Sequence, residues 1–395
     1  MNKLQERCKM YTANSIFNSY GTTVFELMSR LAIEHNSINL GQGFPDDNGP
    51  NTVLQKASES LFDVPNQYPP MLGVPELRQA IAAHNKRFYG LDIDWKTETM
   101  VSSGATEGLA ACFLGFLNQG DEVVVIEPLY DCYLPMIERA GGIAKRVSIE
   151  PPDWKLNDYA LRAAFSNKTK LVLINSPQNP SSKVYQREEL LLIADLVKEY
   201  DAIAICDEVY EHMVYDHRDH IPLMTLPGMR DRSIRIGSAG KTFSLTGWKV
   251  GYLTGSEELL KAVSKAHQFL VFTTPPNLQR AVADGLNGDG TYFNRLNIDM
   301  RSKRDRLSEG LSKVSGFNPI VCEGTYFLFV DVENVGFSGT DIKFCEYLTT
   351  EVGVTGVPVS AFYNRSIEKK YIRFCFAKKN SVLDEAVEKL SGHFS

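Results

Sequence analysis

The sequence predicts an α/β fold: a large domain on a mostly parallel sheet covered by helices, with a smaller α+β domain built from both termini. Three observations point there. Short apolar runs without polar alternation recur from Met100 onward, as in strands buried on both faces. Segments with apolar residues at helical spacing separate them. After about Thr291 the pattern changes to strands that alternate polar and apolar residues.

Taken in order, Met100 to Ser103 leads into a helix over about Thr106 to Leu117, which Asn118-Gln119-Gly120 stops. "EVVVIEP", "TKLVLINSP", "DAIAICDEVY" and "SIRIGS" read as the next strands, and "REELLLIADLVKEY" as a helix between two of them. Val250 to Leu253 is a further apolar strand. In the tail, "GTYFLFVDVE" and "KYIRFCFAKK" alternate like strands with one exposed face, flanked by the helical "GTDIKFCEYLTTEVG" and "SVLDEAVEKLSGHF". The expected division is a large domain over 46–290 and a small one over 1–45 and 291–395.

Composition narrows the function classes. The chain has 395 residues, 43% hydrophobic and 23% charged, with a net charge of −6. That mild acidity argues against nucleic acid as a partner, which calls for a basic face. No apolar run reaches the length of a membrane span, and the first residues lack a signal-peptide core. The seven cysteines are scattered and form no C-x-x-C pair, so neither a disulfide framework nor a zinc site is expected. A reducing cytoplasm is the expected location. No metal is expected either: His212 and the run Asp216 to His220 read as a solvated loop.

The stretch "GSAGKTFSLTGWKVGY" places Lys241 after a glycine and before a threonine, as in a nucleotide-binding loop. The spacing refuses that reading. The loop needs a glycine five residues before Gly240, and Arg235 stands there. The remaining choices are a solvated lysine or one that bonds covalently to a cofactor aldehyde.

In open parallel sheets, ligand chemistry collects at the carboxyl ends of the strands. The polar residues there suit pyridoxal 5′-phosphate. Lys241 supplies the amine, and Asp207, directly after "AIAIC", a carboxylate for the ring nitrogen. Asn179 and Tyr210 offer neutral hydrogen bonds to the ring oxygen, and Tyr130 can stack on the ring. "SSGATEGL" presents the N–H groups of Gly104, Ala105 and Thr106 at a helix start, which favours a phosphate. Ser238 and Lys249 can add a hydroxyl and a cation. Singly, these residues have ordinary readings: a helix cap for Asp207, a packed ring for Tyr130, a turn residue for Asn179, a strand-edge charge for Lys249.

The chain resembles the fold-type I, class I pyridoxal-phosphate-dependent aminotransferases. Within them it looks most like the branch holding kynurenine aminotransferase/glutamine transaminase K and methionine aminotransferase. The motifs run nearly end to end: "INLGQGFPD", "NQYPPMLGVPELR", "SSGATEGL", "EPLYDCY", "NSPQNPSSKVY", "CDEVYEH", "GSAGKTFSLTGWKVGY", "CEGTYFLFVD", "GVTGVPVSAFY" and "YIRFCFAKK". The resemblance implies that Lys241 carries the cofactor and shuttles a proton. It also implies that Arg373 clamps the substrate carboxylate with help from Asn179 and the backbone near Gly43. Tyr68 is implied to reach the phosphate of a neighbouring subunit, making the protein a homodimer. The implied activity moves an amino group from an L-amino acid to a 2-oxo acid, for large neutral substrates (methionine, glutamine, aromatic or kynurenine-like). Three alternatives stand beside it: an aspartate or N-succinyldiaminopimelate aminotransferase, a cysteine-S-conjugate β-lyase, and, outside the enzymes, a cofactor-sensing regulator. Two positions depart from the family pattern: Ser182 stands where relatives usually have the glycine of N-P-x-G, and Lys249 where many have arginine.

Overall fold

The computed structural model describes residues 13–364, 367 and 369–395. Its centre is a sheet of seven strands: β2 (Thr99–Ser102), β3 (Glu122–Glu127), β4 (Ile143–Ser148), β5 (Thr169–Asn175), β6 (Ile203–Asp207), β7 (Ser233–Ser238) and β8 (Gly251–Thr254). They lie in the order β2-β8-β7-β6-β5-β3-β4. β4, β3, β5, β6 and β7 are mutually parallel, whereas β8 runs against both of its neighbours, β7 and β2. The α/β, mostly parallel architecture read from the sequence is therefore present.

The apolar runs form strands here because helices cover both faces of the sheet. On one side Val124, Val172 and Ala204 pack against Ile193 and Val197 of the helix Arg187–Glu199. That helix starts with a capping box in which Gln186 and Glu189 each bond the other's backbone N–H. On the other side Val123, Leu171 and Ile205 meet Leu109 and Phe113 of the helix Gly104–Phe116. Fully burying such a side chain contributes about 1.5–3 kcal/mol, so these two layers, rather than helix propensity, hold the frame.

A smaller α+β unit joins chain ends. β1 (Ile38–Asn39) pairs with β11 (Val354–Thr355), while β9 (Asn318–Pro319), β10 (Phe327–Asp331), β12 (Val357–Pro358) and β13 (Tyr371–Cys375) form a sheet in the order β12-β13-β10-β9. The expectation of an exposed face on these last strands does not hold. All five residues of β13 are buried, and in β10 only Asp331 is partly open. Leu328, Val330, Ile372 and Phe374 pack into the core of the small unit, and Phe329 and Tyr371 into the core under the large sheet. Arg373, the polar residue of the alternation, is 1% exposed and faces a cavity instead of bulk solvent.

Candidate active site

A cavity of about 590 Å³ opens at the carboxyl ends of β5, β6 and β7. Gly43, Gly104, Ala105, Thr106, Tyr130, Asn179, Asp207, Tyr210, Ser238, Lys241, Lys249 and Arg373 all line it, so the structure gathers these expected residues in one place. Tyr68 is the exception: it is 84% exposed and its ring packs edge-on against Phe272, 5.7 Å away, outside the cavity of its own chain.

Lys241 sits on the short helix Ala239–Thr242 that continues β7. Its Nζ donates to the Tyr326 hydroxyl at 3.1 Å, and that hydroxyl donates to the Gly43 carbonyl at 2.7 Å. Burial disfavours the ammonium form and lowers the pKa of Lys241 to about 8, against the opposing charge of Asp207. Neutral amine is then accessible near physiological pH, as a proton-shuttling base requires.

Asp207 ends β6 and is 5% exposed. Its Oδ2 accepts the Tyr133 hydroxyl at 2.6 Å, and its Oδ1 the Val209 N–H at 3.4 Å. Burial raises its pKa to about 6, with these two donors pulling the other way. A carboxylate held in this way is stabilised further by any cation brought to it. By sequence alone Tyr133 reads only as a packed aromatic; nothing local to "EPLYDCY" shows that its hydroxyl reaches a strand 74 residues later.

Asn179 connects the two ends of the site. Its N–H donates to Asn175 Oδ1 at 2.7 Å, and its Oδ1 accepts from Arg373 Nη1 at 2.8 Å, leaving its amide hydrogens as donors for a ligand. Arg373 Nη2 donates to the Gly41 carbonyl at 3.1 Å, so Gly41, two residues before the expected Gly43, is the backbone group that touches it. The guanidinium lies 3.9 Å from the Phe327 ring centroid and 5.0 Å from that of Phe25. Its Nε is buried without a partner among the described residues. A guanidinium in the cavity lining fits a carboxylate ligand.

The opposite end fits a phosphate. Gly104 adopts φ +76°, a left-handed conformation that glycine takes without strain, and opens the helix Gly104–Phe116. A Cβ there would lie 3.1 Å from Lys249 Cε, so the lysine end would have to shift by a few tenths of an ångström. The first N–H groups of this helix have no partner along it, and Gly104, Ala105 and Thr106 line the cavity together with Ser238 and Lys249. The chemistry of the whole donor set suits pyridoxal 5′-phosphate: a cradle for the phosphate, a carboxylate for the ring nitrogen, and an amine for the aldehyde.

Some lining residues carried no signal in the sequence. Glu26 and Ser29, one turn apart on the helix Val24–Glu34, face the cavity with Phe25, Gln42, Phe44 and Asp131. In contrast, Tyr20 bonds Glu138, Phe272 packs on Tyr68, and Tyr326 lies buried behind Phe327, so none of these three lines the cavity within this chain.

The solvated-loop reading of His212 and His220 is corrected. His220 Nε2 lies 2.9 Å from Glu208 Oε2 and His212 Nε2 lies 2.8 Å from His84 Nε2, both within the protein. Arg235, the residue that excluded a nucleotide loop, is 5% exposed and donates to Glu208 at 2.6 Å and to Glu211 at 2.9 Å. Its charge compensates the two carboxylates that flank the Asp207–Tyr210 turn. Ser182, the other departure, keeps the φ of +65° that a glycine would adopt, and its hydroxyl donates to the Phe327 carbonyl at 2.6 Å. The turn is preserved, with that hydrogen bond offsetting the backbone strain.

With this geometry in hand, comparisons with known proteins agree. The family model for aminotransferase class I and II matches residues 35–390. Methionine aminotransferase of Escherichia coli (strain K12) is 39% identical over 370 residues, covering 94% of this chain and 95% of that one. Kynurenine–oxoglutarate transaminase of Dictyostelium discoideum is 38% identical, covering 94% of each chain. The solved structure of N-succinyldiaminopimelate aminotransferase from Mycobacterium tuberculosis superposes with a TM-score of 0.94 at 41% identity, covering 96% of this chain and 100% of that one.

Proposed function

The chain belongs to the class I and II aminotransferases, enzymes that use pyridoxal 5′-phosphate, and we propose that it transaminates large neutral L-amino acids. The observation that carries this is the charge inventory of the cavity. Its cations are Lys241, Lys249 and Arg373, and each is already committed, in turn to the cofactor aldehyde, the phosphate and the substrate carboxylate. Its remaining charged residues are Glu26, Asp131 and Asp207, set among the rings of Phe25, Phe44 and Phe327. An acidic substrate side chain would meet carboxylates here. Leaving it unpaired would cost several kcal/mol, roughly two or more orders of magnitude in selectivity.

Each residue has a physical role in this reading. Arg373 presents its guanidinium to the α-carboxylate, held in orientation by Asn179 and the Gly41 carbonyl. Lys241 Nζ, its amine kept partly neutral by burial, would take up and release the substrate α-proton. Asp207, oriented by Tyr133, holds the positive ring nitrogen. When bound, the cofactor supplies the electron-withdrawing ring that makes the α-hydrogen acidic. The phenylalanine rings keep water from the reacting carbon.

The test compares kcat/KM for methionine, glutamine, phenylalanine, aspartate and N-succinyldiaminopimelate with one shared 2-oxo acid. The neutral substrates are expected to lead by about 10²-fold or more. If either acidic substrate wins, the pocket assignment is wrong.

We also propose that two chains assemble, with Tyr68 completing the partner's phosphate site. The support is its exposure, 84%, in a region where Phe62, at 87%, and Phe269, at 85%, are also open. Tyr68→Phe is expected to weaken cofactor retention by about tenfold through one lost hydrogen bond to a charged group. Sedimentation showing a fully active monomer would refute the arrangement. The division into 46–290 and 1–45 with 291–395 is kept as part of this proposal, supported by the packing of Met28 and Leu40 with the C-terminal core. No helix among the described residues is long and apolar enough to cross a membrane. A cytoplasmic setting is kept as a proposal too, supported by free and mostly buried cysteines such as Cys112, Cys206 and Cys375.

A further inference from the structure

His267 lies on the helix Glu257–Leu270, behind the phosphate end of the site, and its side chain is 0% exposed. Both ring nitrogens face acceptors. Nδ1 is 3.0 Å from Glu107 Oε1, and Nε2 is 3.1 Å from the Met71 carbonyl. A neutral imidazole has one N–H, so it would set a lone pair against one of these oxygens. The imidazolium satisfies both. Burial opposes the charge, but the hydrogen bond to Glu107, its negative charge and the Met71 carbonyl outweigh burial and raise the ring's pKa above its ordinary value. Glu107 is the charged group facing the ring, whereas Met71 and Phe272 meet it with backbone.

Glu107 leads to the phosphate cradle of this chain, and Met71 to the segment proposed to reach the partner's. Glu107 Oε2 accepts the Ser103 N–H at 3.0 Å, in the turn that opens the Gly104–Thr106 cradle. A carboxylate in a helix's first turn is favourable when the helix end is free, but beside a bound phosphate it repels. Its side chain is only 9% exposed, so water screens it little. Met71 belongs to the segment "NQYPPMLG" that carries Tyr68. One buried cation therefore bonds the back of the cradle and the Tyr68 segment together.

We infer that His267, as an imidazolium, is a positioning residue for the cofactor phosphate: it cancels the Glu107 charge behind the cradle and ties the cradle to the segment that carries Tyr68 toward the partner's site. The inference rests on the placement of the phosphate at Gly104–Thr106, Ser238 and Lys249. The sign of its pH dependence follows from the raised pKa. The proton is held through the ordinary imidazole range and lost as pH rises above it, and phosphate retention falls in that direction.

The test titrates the full-length apo-protein with pyridoxal 5′-phosphate and, separately, with pyridoxal, which lacks the phosphate. His267→Gln leaves Glu107 uncompensated and is expected to weaken pyridoxal 5′-phosphate binding by about tenfold, with little change for pyridoxal. The double variant His267→Gln/Glu107→Gln removes both charges and is expected to recover most of the affinity, without the pH dependence of the unsubstituted protein. Should His267→Gln not fold, Glu107→Gln alone is expected to lose the pH dependence that distinguishes pyridoxal 5′-phosphate from pyridoxal, while its affinity stays within about threefold. Equal loss for both ligands, or a double variant no better than the single one, would overturn the inference, because the pair would then matter only for packing. Lys249→Met is the control. If it too leaves pyridoxal 5′-phosphate affinity unchanged, the phosphate placement is wrong and the inference falls with it.

Discussion

Lys241→Ala is expected to abolish transamination, with a fall in turnover of at least about 10⁴-fold, the upper range for losing a general base. The variant should still fold and still bind the cofactor noncovalently. Its neighbours Ala239, Gly240 and Thr242 are buried in the frame, whereas Lys241 itself lines the cavity and bonds Tyr326. The phosphate cradle and Asp207 remain as anchors. In the unsubstituted enzyme the same amine sets a pH dependence. With its pKa lowered to about 8 by burial, the neutral form grows as pH rises, so a rate limited by proton transfer should climb toward pH 8 and level off above it. Near-normal turnover in the alanine variant would remove the central assignment.

Asp207→Ala is expected to lower turnover by at least about 10²-fold, as for loss of a preorganised charge facing the reacting system. Cofactor retention should weaken by roughly 10–100-fold, the equivalent of one hydrogen bond between charged groups. The cofactor-free protein should behave differently. The pKa of Asp207 is raised from 3.8 to about 6, so its stabilising contribution is present below 3.8 and lost as pH rises through about 6. At pH 7 the buried carboxylate then costs about 3 kcal/mol, which only a bound cation recovers. Asp207→Ala should therefore leave thermal stability without cofactor unchanged or higher at pH 7 while activity collapses. Tyr133→Phe is the graded version. Loss of its donor should move the acid limb of the pH–rate profile upward by about one unit and cost about tenfold in turnover. Unchanged turnover in Asp207→Ala would show that another group faces the ring nitrogen.

Much of this was legible without a structure, for a physical reason. The period of apolar residues reports burial along one element, so the strands of the large sheet and the helix Arg187–Glu199 could be read directly. The rule that ligands gather at strand ends then selected Asp207, Asn179 and Lys241, and the family resemblance added Arg373. A helix start is also a local feature, which is why the Gly104–Thr106 cradle could be named from "SSGATEGL".

The tertiary structure decided what each side chain meets on its far side. Tyr133 and Asp207 are 74 residues apart, Lys241 and Tyr326 are 85 apart, and Arg373 and Gly41 are 332 apart. Alternation in β10 and β13 suggested one exposed face, but both faces are buried, and Arg373 meets a cavity rather than solvent. The side chains of His212 and His220 looked like solvent contacts, but in the fold His220 meets Glu208, which Arg235 of another strand also bonds, and His212 meets His84. Glu26 and Asp131 became specificity candidates only once the fold placed them in the same cavity as Arg373. Hydrogen bonds act over about 3 Å, so their partners are set by which distant segments pack together, and no local pattern records that.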